Sequence, residues 1–266
     1  MTSNRCAWIA ALAGACAMVC GSTGCVEPVS PEARQLLVDG RAAYDCGEDA
    51  TVLRQTGQFL DAHARSPLAD VAYYLRGLAY LRTQNRPAAQ ADLQAALAAT
   101  KRQDIRLGSQ KALGDLAYED GDFAAADTLY RQAQAECAPA ARPADEIGYR
   151  LGCLLQAQGR WTEAAEQLDR VSHVFAGSEI ARRSERRLRC VAWTVQAGAY
   201  EKKASADAEV ARLRAAALPA NTRAVLVDGK LRFFVQVGWY DTRDKAAASL
   251  PPVRKLCPAA FVIPSR

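Results

Sequence analysis

The sequence predicts a multi-domain chain: a long all-α array of helical repeats, followed by a small α+β domain of order βαββαβ with a four-stranded antiparallel sheet. Three observations predict it. Half of the 266 residues are hydrophobic but only 7% are aromatic, and alanine is abundant, which suits packed helices. Three stretches of the middle align without gaps, with Gly77, Gly114 and Gly152 spaced 37 and 38 residues apart. Near the end the chain writes one phrase twice, TVQAGAY at 194–200 and FVQVGWY at 234–240, among alternating apolar and polar residues.

In chain order, MTSNR is followed by CAWIAALAGACAMVC, an apolar run of signal-peptide length and too short to span a bilayer comfortably. Small residues lead to Cys25, so residues 1–25 are expected to be an export leader. Gly24-Cys25 resembles a bacterial lipobox, with Ser22 where the family usually carries Leu. The resemblance makes Cys25 the candidate lipidation site and implies an exported, periplasmic lipoprotein anchored in a membrane by several acyl chains.

Beyond the leader lie Cys46, Cys137, Cys153, Cys190 and Cys257, with no CxxC spacing, and the histidines are His63 and His173. That pattern speaks against a zinc site, and no cofactor is expected. An exported chain permits disulfides, but most of these cysteines read as small buried hydrophobes. The net charge of +5 is uneven: residues 190–266 carry an excess of six positive charges, while 26–189 are slightly acidic. A basic C-terminal module suits an anionic partner, or is simply a solvated basic surface.

The helical array is expected over 31–189, with units near 31–67, 70–103, 107–140 and 145–178 and a capping helix at 179–189. In each aligned unit the glycine is followed by apolar positions at spacings of three and four, which share one helix face. Ala89, Ala126 and Ala164 begin the same pattern in the second helix, with Leu93, Tyr130 and Leu168 four residues on. Small residues sit where two helices approach closely, and Asn85, Gly121 and Gly159 are expected to close the first helix in the left-handed conformation. The pattern resembles the tetratricopeptide repeat, a helix–turn–helix scaffold, and SPLADVAYYLRG is similar to repeat junctions of periplasmic envelope-assembly proteins. The resemblance implies a face that binds an envelope protein partner, without chemistry. Arg182, Arg183, Arg186, Arg187 and Arg189 on the last helix read as a polar cap, or as a contact for an anionic partner.

In the last 77 residues, WTVQAGAY reads as a strand and SADAEVARLRAAAL (205–218) as a helix with Ser205 as its N-cap. NTRAVLVDGKLRFFVQVGWY reads as strand, Asp228-Gly229 turn, strand. TRDKAAASL (242–250) starts a second helix that Pro251 and Pro252 must end or kink, and AFVI (260–263) is a last strand. The repeated phrase thus opens each half of the domain, on two neighbouring central strands that each end at a glycine.

VQAGAY with its helix, LRFFVQVGWY with its helix, and FVI resemble the SPOR domain, a peptidoglycan-binding module of bacterial envelope proteins, over 190–266. Ala199 and Trp239 stand where the family's phrases carry Ser and Pro. The resemblance implies a ferredoxin-like or RNP-like sheet that binds glycan strands stripped of stem peptides on its open face, without catalysis. If Leu231, Phe233, Val235 and Val237 pack on the helices, then Arg232, Phe234 and Gln236 face out, with Gln196 beside them and Phe261 joining from the last strand. An amide, an aromatic plane and a cation suit N-acetylated sugars. A register shift by one residue would instead put Phe234 in the core.

The expected partners are therefore peptidoglycan glycan strands, an unidentified envelope protein at the array, and a membrane through the lipid anchor, with a role in cell division or envelope maintenance. The alternative is an adaptor of an envelope assembly or secretion complex whose C-terminal domain binds no glycan. A more remote reading is RRM-like nucleic-acid binding, suggested by GKLRFFVQV but opposed by the leader and the VQxG phrases, so no nucleic acid is expected. No nucleophile–base–acid set is visible, so no enzyme is expected.

Overall fold

The computed structural model describes residues 29–265; the expected leader and Cys25 lie outside them. The chain divides into two compact units, one running to Ala99 and the other from Thr100.

The first unit is two helical hairpins, α1 (Pro31–Cys46) with α2 (Asp49–His63) and α3 (Ala69–Arg82) with α4 (Arg86–Ala99). The Ser30 hydroxyl caps α1 by accepting the Ala33 N–H at 3.1 Å. Leu37, Phe59, Leu60 and Ala72 form one apolar cluster, and Val52, Leu75 and Ala79 another. The Arg76 guanidinium grips the largely buried Asp92 carboxylate with two bonds of 2.6 and 2.8 Å, tying α3 to α4. Asn85 does not take the left-handed position expected of it. Gln84 does, at φ 62°, and Asn85 accepts the Ala88 N–H to cap α4. A short polar side chain gains a bond as an N-cap that it would not gain one residue earlier.

The second unit holds two more hairpins, α5 (Gln103–Asp120) with α6 (Phe123–Glu136) and α7 (Ala144–Ala157) with α8 (Trp161–Val174), then α9 (Glu179–Leu188). Gly121 and Gly159 close α5 and the α7–α8 turn at φ 82° and 79°. A Cβ on Gly114 would lie 2.7 Å from the Tyr130 ring, and one on Gly152 would lie 2.6 Å from Leu168, so these glycines are the contact points of their hairpins. Ser178 caps α9, which packs on α7 and α8 through Ile180 and Leu188 against Tyr149, Cys153 and Leu168.

The sheet follows in the same unit: β1 (Ala192–Tyr200), α10 (Lys203–Ala215), β2 (Ala220–Val227), β3 (Lys230–Tyr240), α11 (Arg243–Ala248), α12 (Leu250–Leu256) and β4 (Phe261–Ser265). Its order is β2-β3-β1-β4, all antiparallel, with the two phrase-bearing strands at the centre. Asp228 and Gly229 both have positive φ, as a two-residue hairpin turn between right-twisted strands requires. The helices cover one face, where Val195, Val235 and Val237 pack with Val210, Leu213 and Val253.

Three local expectations are corrected. First, α10 begins at Lys203 rather than at Ser205, which lies inside it; a Lys203–Asp207 bond of 2.6 Å supports its first turn. Second, the last helix is two helices: Pro251 and Pro252 lack the N–H a continuing helix needs and stand in the first turn of α12, where none is needed. Third, the central strands run past their glycines. Tyr200 folds over Gly198, where a Cβ would lie 2.8 Å from its ring, and Tyr240 folds over Gly238 in the same way. The Gly-x-Tyr ending of the repeated phrase is thus a packing unit, the aromatic covering backbone that a side chain would otherwise occupy.

The domain is docked on the helices of its own unit. Buried Trp193 clusters with Ala157 and Ala246, and its indole N–H donates to the Gln156 carbonyl at 2.8 Å. The Trp161 indole donates to the Asp241 carbonyl at 3.0 Å, and Arg243 lies over the Tyr118 ring at 5.6 Å. Among the described residues no helix is long and apolar enough to cross a membrane.

Candidate binding groove

The sheet face turned away from α10, α11 and α12 is built by strand pairing. Gln196 stands opposite Gln236 on one side and Phe261 on the other, while Phe234 stands opposite Arg223 and Arg232 opposite Val225. Directly paired residues share a face, so these side chains form adjacent rows. The buried valines on the opposite face fix this register.

The face is not open along its whole length. Docking of Trp193 on α7 brings α9 alongside the sheet, and a groove of about 400 Å³ runs between them. Gln196, Gln236, Phe234 and Arg223 lie on its floor, with Ile263 and Pro264 at the β4 side. Tyr149 of α7 and Arg183, Arg186 and Arg187 of α9 form the facing wall. The Gln156 amide fastens that wall by donating to the Arg187 carbonyl at 3.0 Å.

Of the residues singled out in the sequence, Gln196, Phe234 and Gln236 come together here. Gln236 is only 4% exposed, and its Oε1 accepts the Ser265 hydroxyl at 3.4 Å. That hydroxyl in turn accepts from Arg223 at 3.3 Å, so the floor is a connected polar chain. Arg232 does not line the groove; it pairs with Glu201 at 2.8 Å, nearer the β2–β3 turn. Phe261 shares the row of Gln196 but is 48% exposed and stands outside the groove lining. The repeated phrase did not point to Tyr149, Arg183 or Arg223. The legible signal was the arginine run of α9, whose residues 183 and 187 are one helical turn apart.

Among the described residues, four guanidinium groups and no carboxylate line the groove. Their states differ. Arg186 is held 3.3 Å from Glu179, which also receives Arg182 at 2.9 Å. Bonds from Arg182 and then Arg186 hold the Glu179 carboxyl below the ordinary carboxylate range. Arg187 lies over the Trp193 ring at 5.6 Å, and Arg183 over the Tyr149 ring at 4.5 Å. Burial pushes the Tyr149 phenol up, so that ring is neutral at physiological pH. Arg183 makes no ion pair among the described residues; it lines the groove, and its charge helps to lower the Glu146 carboxyl.

This arrangement defines a class: a sheet face flanked by a neighbouring helical array, with a groove between them. Residues 191–264 match the family model of the SPOR domain, so the α+β part of the chain is a SPOR domain. The helical region matches tetratricopeptide repeat proteins in fold. A tetratricopeptide repeat protein from Parabacteroides merdae is 17% identical with a TM-score of 0.50, the match covering 60% of this chain and 61% of that one. The chain thus spans about three fifths of the length of that relative. MamA AMB-1 is 17% identical over 59% of this chain and 82% of its own, with a TM-score of 0.45. YrrB, a TPR protein with an unusual peptide-binding site, is 19% identical over 58% and 77%, also with a TM-score of 0.45. No curated protein matches the chain.

Proposed function

We propose that this chain is a non-enzymatic bacterial envelope protein that holds peptidoglycan through its SPOR domain and recruits a protein partner through its helical array. The ligand of the domain is a glycan strand lacking stem peptides. The observation that carries this reading is the convergence of Gln196, Phe234 and Gln236 in one groove of the matched domain. The Phe234 ring supplies a stacking surface for the apolar face of a sugar, and the Gln196 amide pairs with hydroxyl and acetamido groups.

The array supplies the second activity by the physics of helical repeats, which display an extended surface without chemistry of their own. The reading extends to the leader: export, lipidation at Cys25 and a periplasmic, membrane-held position place the SPOR domain where peptidoglycan is. A part in cell division or envelope maintenance follows from that position.

The test is pull-down of the purified full chain by sacculi before and after amidase digestion. The chain should sediment with digested sacculi and much less with undigested ones. Failure of a folded chain to bind digested sacculi would remove the glycan reading and leave the adaptor reading, in which the domain binds no sugar.

A further inference from the structure

We propose that the α9 wall of the groove recognises the carboxylates of the glycan, so that the site is completed by the helical array and is not contained in the SPOR domain alone. The inference rests on the glycan reading above.

Amidase hydrolysis breaks the amide between the lactyl carbonyl of muramic acid and the first amino acid of the stem; water supplies the hydroxyl, and the product is a free carboxylate. Every stripped muramic acid therefore carries a negative charge that its peptide-bearing form lacks at that position. The groove is matched to such a ligand. Its sheet side offers the Phe234 ring and the Gln196 amide, with Gln236 buried beneath them, which suits a neutral N-acetylated sugar. Its helix side offers guanidinium groups, of which Arg186 is held by Glu179, and among the described residues no carboxylate stands in the lining itself. Arg183 is the best placed: the Tyr149 ring holds it at 4.5 Å, which fixes its plane, and among the described residues no carboxylate forms an ion pair with it, although its charge helps to lower the Glu146 carboxyl. A planar guanidinium presents two parallel donors to a carboxylate, a geometry an ammonium cannot match. An ordinary solvated cap would point such residues at water; here they line the same groove of about 400 Å³ as Gln196 and Phe234.

The experiment compares two ligands and three proteins. Soluble amidase-stripped strands are used as they are, or with their lactyl carboxylates converted to methylamides by carbodiimide coupling. The full-length wild type should bind the carboxylate strand about tenfold more tightly than the methylamide strand, the difference one charge-assisted pair supplies. Arg183→Gln should bind both strands alike, at the weaker level. Arg182→Gln removes the same charge from the same helix outside the groove lining and should keep the preference. Equal binding of both strands by the wild type overturns the inference and leaves the glycan reading standing. Equal losses in Arg182→Gln and Arg183→Gln also overturn it, by reducing the effect to net charge. Tighter binding of a polyphosphate than of the stripped strand assigns the wall to another anion and overturns it as well. A wild type that binds neither strand overturns the glycan reading and this inference together. The two-ligand comparison on wild type decides the matter even if Arg183→Gln does not fold.

Discussion

Trp193, at the start of the first SPOR strand, donates its indole N–H to the backbone carbonyl of Gln156 at the end of α7, 2.8 Å away and out of contact with water. This bond, with the apolar cluster around it, makes the last repeats and the SPOR domain one compact unit and sets α9 beside the sheet. Trp193→Phe keeps an aromatic but removes the donor, and should cost about 1–3 kcal/mol in denaturant unfolding. Trp193→Ala should cost about 3–5 kcal/mol, because it also opens a cavity. Both losses should be accompanied by weaker glycan binding, since the groove wall belongs to the helices.

The repeat glycines divide by what lies opposite them. Gly152→Ala places a methyl 2.6 Å from Leu168 and should destabilise the second unit by about 1–3 kcal/mol. Gly57→Ala, inside α2 with nothing within 4 Å, should be neutral or stabilising by up to about 1 kcal/mol through helix propensity. Thermal melting of the two variants checks this contrast.

Those glycines also show how much was legible beforehand. Spacing alone picked out Gly77, Gly114 and Gly152 and, separately, Leu93, Tyr130 and Leu168, but not that each glycine meets the residue sixteen on, because periodicity fixes the face of one helix and not the contacts between two. Alternation likewise put Phe234 and Gln236 on the face opposite the buried Val235 and Val237, but Leu231, expected to pack on the helices, is 51% exposed because β3 extends past the helices at the β2–β3 turn. The Gly-x-Tyr phrase was visible but its cause was not: that Tyr200 and Tyr240 fold back over Gly198 and Gly238 depends on side-chain direction, which period does not report. The groove wall was hidden for a further reason. It comes from α7 and α9, and their approach to the sheet is set by docking at Trp193, a tertiary contact with no local signature.

Cys257 is buried against Glu209 and Arg212, its thiol donating to the Glu209 carboxylate at 2.9 Å. Burial first, and then that neighbouring carboxylate, push the thiol up to about 11. A raised thiol pKa means less thiolate, so at pH 8 only about one molecule in a thousand is reactive at this site. Iodoacetamide at pH 8 should therefore label exposed Cys46 readily and spare Cys257 in the folded chain. Glu209→Gln should speed labelling of Cys257, and mass mapping of the alkylated peptides reads both outcomes.

The most direct test of the central claim is titration of the full chain, as wild type, Phe234→Ala and Gln196→Ala, with amidase-stripped glycan strands. Each variant should lose at least about tenfold in affinity while melting within a few degrees of wild type, because each removes a groove contact and little core packing. Binding by both folded variants at the wild-type level would contradict the assignment of this groove to the glycan.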